Sequence, residues 1–417
     1  MVVKISKMTQ AQAFKILKSG CNVFLTGSAG TGKTFLLNKF IAYLRKKKIN
    51  IGVTASTGIA ATHIDGRTIH SWSGMGIKDK LTDKEIEQLL RKDKLQTRIK
   101  ETQVLIIDEI SMLDASRLDL LDSICKFAKG SFLPFGKMQI IMCGDFFQLP
   151  PVDSKNENPA FAYESSAWKN ADIKTCYLDK QYRQNDRGFI GILNNIRNNQ
   201  AGEDTLMKLK ARLHQAIKLK TINPIKLYTH NVDVDAMNNY ELSKIPGAEF
   251  NYEMMSHGPK ELVKVLKKNC LAPEHFTLKV GAMVIFVKNN FNQGYVNGTL
   301  GKVIGFDKFD FPIVEIESGD EITVTTTSWN IEEDRQIVAS ISQVPLRLAW
   351  AITVHKSQGM TIDAAEIDLS KSFEYGMGYV ALSRVRTLDN IRLMGINEMA
   401  LKVNPKVVEK DMEFRSS

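Results

Sequence analysis

The chain has 417 residues, 43% of them hydrophobic, with a formal net charge of +10 and a pI near 9.1. That length leaves room for two or three domains with cores of their own, and the basic balance favours polyanionic partners. The five cysteines (Cys21, Cys125, Cys143, Cys176, Cys270) form no CxxC pair and have no His cluster beside them, which excludes a disulfide framework or zinc site. No apolar run reaches the length of a membrane span and the first residues lack an apolar signal core, so the expectation is a soluble, intracellular protein.

In chain order, residues 23–26 read as a strand and 33–44 as a helix with Phe35, Leu36, Phe40, Ile41 and Leu44 on its apolar side. Residues 51–54 and 104–107 read as further strands. Residues 115–128 carry Leu118, Leu121, Ile124 and Cys125 at helical spacing, and 138–143 close the series as a fourth strand. Short apolar strands alternating with helices predict a parallel sheet covered on both faces. Lys46-Lys47-Lys48 is the longest basic run; a solvated helix end and a phosphate contact both account for it. After about residue 245 the pattern changes to short runs at 283–287, 300–306, 312–317 and 321–327, separated by Gly and Asp turns. That predicts a small antiparallel barrel of about five strands. From about 345 the α/β pattern resumes, with a turn at 354–357, a strand at 364–369 and a helix at 378–382.

The strongest chemical signal is Gly27-Ser28-Ala29-Gly30-Thr31-Gly32-Lys33-Thr34, which fits GxxxxGK(S/T) between a strand and a helix. Its glycines let backbone N–H groups close around phosphates, and the helix start adds positive potential. Lys33 is placed to pair with the β- and γ-phosphates and Thr34 to hold Mg²⁺, so the pattern predicts binding and hydrolysis of a nucleoside triphosphate, ATP foremost. Asp108 and Glu109 end an apolar strand. A carboxylate there can hold Mg²⁺ and the next can act as general base, although a solvated strand end explains an acidic pair equally well in isolation. Gln148, in GDFFQLPPV at 144–152, either senses the γ-phosphate or caps a turn stiffened by two prolines. Arg183 and Arg384 are candidates for stabilising phosphoryl-transfer charge, against the ordinary fate of an arginine in a surface salt bridge. For nucleic acid, Ser56, Thr57 and Gly58 supply small groups at a helix start. Thr68, His70, Ser71 and Trp72 add hydroxyls, an imidazole and a ring able to stack on a base, and Thr353, His355, Lys356 and Ser357 repeat that chemistry further on. Trp72 fits a core position as well, and His70 an internal hydrogen bond.

Taken in order, GSAGTGKT, ASTGIAA, GRTIHSW, IIDEISM, GDFFQLPPV, LDKQYRQ, AITVHKSQGMTID and YVALSRV resemble the motifs of the superfamily 1B helicases of the Pif type, over nearly the whole chain. The segment from Ser116 to Gln139, containing Pro134-Phe135-Gly136, resembles the signature that separates this family from RecD-like relatives, and 294–306 resembles its SH3-like insertion. The resemblance implies two RecA-like P-loop motor domains, at 1–180 and at 181–245 with 345–417. It also implies an SH3-like β-barrel at 246–344 and a wedge near 63–95, most of it in 77–95. It implies ATP and Mg²⁺ as cofactors, Gln12 as the adenine-reading residue, Gln148 as the link between γ-phosphate and DNA grip, and Arg183 and Arg384 as arginine fingers.

The activity implied is 5′-to-3′ translocation on single-stranded DNA with unwinding of duplex, forked or G-quadruplex DNA. RNA–DNA hybrids are a further substrate, in repair, recombination, replication and telomere maintenance. The protein is expected to be a monomer, with a DNA-induced dimer as an option, without a membrane partner, and cytoplasmic and nucleoid-associated in a prokaryotic or viral setting. A RecD- or Dda-like helicase, a remodelling ATPase without unwinding and a passive single-strand binder are the alternatives. Two residues depart from the family pattern: Lys137 stands where a second glycine is usual, altering a turn expected to face DNA, and Arg386 follows Arg384 as a rival finger.

Overall fold

A computed structural model describes residues 8–76, 78–151, 160–217, 224–230, 234–295, 297–316, 318–333 and 336–416. The chain forms two compact units, Met1–Arg183 with Val403–Ser417, and Gln184–Lys402.

The first unit is built on strands β1 (Val23–Gly27), β2 (Ile51–Ala55), β3 (Arg67–Thr68), β4 (Val104–Asp108), β5 (Gln139–Cys143) and β6 (Lys174–Leu178). They lie in the order β3-β2-β4-β5-β1-β6, all parallel. Every residue of β1 and β4 is buried, as expected for central strands covered on both faces. Helices α1 (Gln10–Leu17), α2 (Lys33–Lys46), α3 (Gly58–His63), α4 (Ile69–Ser73), α5 (Asp83–Leu90), α6 (Asp93–Glu101) and α7 (Ala115–Lys129) make the connections. Helix α1 starts with a capping box in which Thr9 and Gln12 satisfy each other's backbone N–H groups. In α2 the buried stripe is Leu36, Leu37, Phe40, Ile41 and Leu44, packed against β1, β4 and β5. Phe35, expected on that stripe, is 66% exposed and Leu37 takes its place, because the apolar face runs 36-37-40-41-44.

The last helix, Pro405–Ser416, was expected in the second motor domain with the rest of 345–417 but belongs to the first unit. Its Phe414 ring sits 4.9 Å from that of Phe24 on β1 and 6.1 Å from that of Trp168, and Tyr177 on β6 donates a 2.9 Å hydrogen bond to Asp411. An aromatic cluster on the face of the first sheet thus captures the C-terminal helix.

In the second unit a parallel sheet joins β7 (Ile225–Tyr228), β18 (Ala351–Thr353), β19 (Ala365–Leu369) and β20 (Ile391–Ile396) in the order β18-β7-β19-β20. Between β7 and β18 lies an antiparallel insertion. Strands β11 (Met283–Phe286), β12 (Leu300–Phe306), β13 (Pro312–Ile316), β14 (Glu321–Thr323) and β17 (Leu346–Leu348) form its five-stranded sheet. Val284, Phe286, Val303, Val314 and Leu346 fill its core. The runs at 283–287, 300–306, 312–317 and 321–327 had pointed to β11, β12, β13 and β14; β17 lies past 344, where the α/β pattern was expected to resume, and its pairing with β11 extends the insertion. Two further sheets had no expectation: β8 (Phe250–Glu253) with β10 (His275–Leu278), and β9 (Met255–His257) with β15 (Thr327–Glu333) and β16 (Gln336–Gln343).

Candidate functional site

The ends of β1, β2, β4 and β5 point the same way, and the phosphate loop, Ser56, Asp108, Glu109 and Gln148 follow those strands at that carboxyl edge, where open parallel sheets place ligands. The loop from Gly27 to Gly32 leaves β1 and opens α2. Gly27 has φ +142°, and a Cβ there would lie 2.3 Å from the Leu178 carbonyl oxygen, so no other residue fits. Gly30 and Gly32 also have positive φ, and Gly32 is the left-handed N-cap of α2. Lys33 Nζ donates to the carbonyls of Gly27 (2.7 Å) and Ser28 (3.1 Å), and Thr31 Oγ1 to that of Ser28 (2.9 Å). These bonds hold the ammonium beside the loop, from where it can turn to phosphate oxygens. Thr34 is exposed on the first turn of α2.

The loop is also braced from outside by residues that motif reading did not single out. Gln181 Nε2 donates to Ser28 Oγ (3.0 Å) and to the Ala29 carbonyl (2.8 Å). The backbone N–H groups of Tyr182 and Arg183 both reach the Gly30 carbonyl, at 2.9 and 3.3 Å. Gln10 Nε2 approaches the Thr31 and Gly32 carbonyls at 3.3 and 3.4 Å. Arg183 is therefore carried on a segment tied to the phosphate loop. Gln12, the expected adenine reader, is exposed, and its Oε1 accepts from the N–H and hydroxyl of Thr9.

Asp108 is buried at the end of β4, with Oδ1 accepting from the Glu109 N–H at 2.9 Å. Burial pushes its carboxyl above the ordinary range, opposed by a hydrogen bond from the Cys143 thiol, the Glu109 N–H and the charge of Lys33. The same surroundings, burial first and then the Asp108 charge, raise the Cys143 thiol well above its usual value and keep it protonated. Glu109 adopts φ +51°, left-handed backbone that a side chain rarely takes, and strain of this kind collects at functional sites. Ser56 supports it: its hydroxyl donates to the Glu109 carbonyl at 2.6 Å and its N–H to that of Asp108 at 3.1 Å. Gln148 follows β5, is 6% exposed, and its N–H closes a turn on the Asp145 carbonyl.

The candidate nucleic-acid residues divide. Thr57 and Thr68 cap α3 and α4, accepting from the N–H groups of Ala60 and Ser71, and with Gly58, His70 and Ser71 they are half-buried. Burial and then the Arg117 guanidinium hold His70 below the usual histidine range, so its ring is neutral at pH 7. Trp72 is a core residue: it is 2% exposed, and a Cβ on Gly52 would lie 2.8 Å from its Nε1. Its ring offers no face to a base, which corrects the stacking expectation. The hydroxyls of Ser56, Thr353 and Ser357 are likewise buried. Ser357 Oγ donates to the Val354 carbonyl and Thr353 Oγ1 accepts from the Lys356 N–H, so these side chains organise their turns instead of reaching outward. His355, 3.5 Å from Glu374, and Lys356 are half-buried, the latter with its ammonium pushed down by burial and by Arg347.

Arg384 closes the helix Met377–Ser383 of the second unit. It is 1% exposed, donating through Nε to the Val380 carbonyl (2.9 Å) and through Nη2 to Ser383 Oγ (2.8 Å). Arg386, its rival, is 3.6 Å from Asp363 with its side chain 60% exposed. The turn at 134–137 with Lys137 precedes β5 and so lies at the amino edge of the sheet, opposite the phosphate loop.

A phosphate loop after the first strand of a parallel sheet, with a carboxylate at the tip of a nearby strand, defines a RecA-like P-loop nucleotide hydrolase. Comparison with known proteins narrows the class. The family model for PIF1-like helicase matches residues 6–203, and that for the DNA helicase Pif1 2B domain matches 261–306. The ATP-dependent DNA helicase Pif1 of Psychrobacter sp. is 42% identical, covering 98% of this chain and 71% of that protein; this chain spans 61–63% of the vertebrate relatives' length. The crystal structure of the Pif1 helicase from Candida albicans is 38% identical, with a TM-score of 0.80 over 97% of this chain and 98% of that one. That of Bacteroides Pif1 helicase in complex with ADP-AlF3 and single-stranded DNA is 31% identical, with a TM-score of 0.66 over 99% and 98%. The chain belongs to the family of PIF1-like helicases. No helix among the described residues is long and apolar enough to cross a membrane.

Proposed function

We propose that the chain is an ATP-dependent DNA helicase that translocates 5′-to-3′ on single-stranded DNA and unwinds duplex, forked or G-quadruplex DNA. The observation that carries this reading is a phosphate loop with its acidic strand end, in a chain similar over its length to DNA helicases. Backbone N–H groups of the loop bind the phosphates and Lys33 neutralises the β- and γ-oxygens. Glu109 acts as general base on the attacking water, and Gln148 orients that water or reads the γ-phosphate. Arg183 and Arg384 supply positive charge to the transition state; Arg384 must exchange its bonds to Val380 and Ser383 to do so.

The residues also suit Mg²⁺. Asp108 presents its carboxylate at the end of β4, oriented by the Glu109 N–H and the Cys143 thiol, and Thr34 offers a hydroxyl at the helix start. Among the described residues no group of three His, Cys, Asp or Glu side chains is placed to hold a metal, which fits a hard ion completed by phosphate and water oxygens. When bound, the ion neutralises charge developing between the β- and γ-phosphates.

Thr57, Gly58, Thr68, His70, Ser71, His355 and Lys356 remain the candidate DNA contacts, residues 63–95 with α5 the candidate wedge (Ile77 lies outside the described residues), and Gln12 the candidate adenine contact. The five-stranded antiparallel sheet supports an SH3-like class for the insertion. The test is unwinding of 5′-tailed against 3′-tailed duplexes with ATP and Mg²⁺. Opening of the 5′-tailed substrate alone is expected, and opening of only the 3′-tailed one refutes the polarity.

A further inference from the structure

The amino edge of the first sheet, opposite the nucleotide loop, carries most of the excess charge of the chain. Five turns enter β1, β2, β4, β5 and β6 there, and hydrogen bonds join them into one rim. The Gln103 N–H reaches the Asn50 carbonyl (2.8 Å), the Gln139 N–H the Gln103 carbonyl (3.1 Å), and the Lys174 N–H the Asn22 carbonyl (2.9 Å). Asn22 Oδ1 accepts from the Ile140 N–H at 2.9 Å. The turn into β2 holds Arg45, Lys46, Lys47 and Lys48. Lys18 and Lys100 precede β1 and β4, and Lys129 and Lys137 flank the turn into β5. At the far end stand Lys169 and Lys174. Against these ten cations the same turns contain two carboxylates, Glu101 and Asp172, so the rim has a net +8 in a chain of +10. Nine of the ten cations are exposed, Lys129 is half-buried, and among the described residues none pairs with a carboxylate.

Helix ends explain part of this, since cations in the last turns of α2 and α6 complement the helix dipole. They do not explain Lys48, past the end of α2, or Lys137, the last residue of the short 3-10 turn Pro134–Lys137, which have φ of +57° and +69°, backbone better suited to glycine. At both positions the chain keeps a cation where conformation favours a residue without one. Beside them Phe132 is 99% exposed, with Leu133 and Phe127 at 53% and 40%.

We propose that this rim is a second binding site for single-stranded DNA, separate from the motif-bearing carboxyl edge. Five strands at about 4.8 Å give a row of cations roughly 19 Å long, suited to several successive phosphates. Phe132 presents a flat, fully exposed ring on which an unpaired base can stack. The row lies along the sheet edge, which suits an extended backbone. The inference rests on the DNA-helicase reading, and its occupant is a strand segment outside the motor's track.

The test uses the full chain and measures affinity for a short oligonucleotide that fills one site and for a long one, across a salt series. The long strand is expected to show the steeper salt dependence. In the variant Lys46→Gln/Lys47→Gln/Lys48→Gln the slope for the long strand falls by about 2, at roughly 0.7 per phosphate contact. Affinity for the short oligonucleotide, and the ATPase rate it stimulates at saturating ATP, stay at wild-type values. Lys169→Gln/Lys174→Gln, at the other end of the rim, lowers the slope by about 1 on the same basis. Phe132→Ala weakens long-strand binding severalfold with its slope unchanged. Long-strand affinity and slope unchanged in both lysine variants overturn the proposal and point to an acidic protein segment on the rim. An ATPase that ignores single-stranded DNA refutes the proposed function, while the slopes still decide the fate of the rim.

Discussion

Replacing Lys137 by glycine is expected to stabilise the first unit. Phe135, Gly136 and Lys137 form three consecutive left-handed residues, with φ of +49°, +62° and +69°, in the turn that enters β5. The turn is held at its start, where Asp122 accepts from the Phe135 N–H at 2.6 Å. A left-handed L-residue costs about 1–2 kcal/mol, and glycine gives back about 0.5–1 kcal/mol through its freer unfolded chain. The net gain is about 0.5–1 kcal/mol, a rise of about 1–4 °C in Tm for a unit of this size. Urea denaturation followed by tryptophan fluorescence checks it, with Gly136→Ala as a control of opposite sign. A Cβ on Gly136 meets the Cys125 carbonyl oxygen at 2.7 Å on left-handed backbone. If Lys137→Gly lowers stability, the strain argument is refuted, and with it the claim that a cation is kept there at conformational cost.

Lys33→Ala is expected to abolish ATP hydrolysis while leaving the far-ultraviolet circular dichroism unchanged; normal turnover removes the phosphate-loop assignment. Glu109→Gln should bind ATP and fail to hydrolyse it in a single-turnover assay. Gln181→Leu keeps the bulk and loses the bonds to Ser28 and Ala29, so binding of ATP should weaken by about 1–2 kcal/mol, with KM rising roughly five- to thirtyfold and kcat less affected. An unchanged KM means that the loop holds its shape without this brace. Gly378→Ala would set a Cβ 2.0 Å from the Ala400 carbonyl oxygen and should cost the second unit about 3 kcal/mol in thermal or urea unfolding.

Four strands of the first sheet were legible because they are apolar runs that end in chemically marked turns, and buried parallel strands have few other ways to look; the edge strands β3 and β6 had no expectation. The phosphate loop and the Asp108-Glu109 pair were legible for the same reason: their spacing is the chemistry. What failed required knowing the neighbours. Phe35 and Leu37 are one residue apart on α2, and only packing against the sheet decides which faces inward. Trp72 has the composition of a stacking residue, yet Gly52 on β2 leaves room for its indole inside. The C-terminal helix joins the first unit through Phe414 and Asp411, whose partners Phe24 and Tyr177 are more than two hundred residues away. Gln181 and Gln10 brace the phosphate loop through single side-chain amides, which leave no periodic trace. Lys137 is the instructive case. As a departure from a family pattern it raised a question about DNA, and its φ now explains why glycine is usual there.

The crowding of positive charge at the amino edge has a consequence for the nucleotide. A five-residue strand separates the two edges by about 17 Å, twice the Debye length of about 8 Å at physiological ionic strength. Under those conditions mobile ions screen the rim before its field reaches the phosphate loop. ATP therefore meets chiefly the local charge of Lys33, Arg183 and the loop N–H groups, and the charge of the rim contributes little to its capture. Near 0.01 M salt the screening length grows to about 30 Å and the two edges sense each other. The KM for ATP should then depend on Lys46, Lys47 and Lys48 in dilute buffer and become independent of them as salt approaches physiological strength.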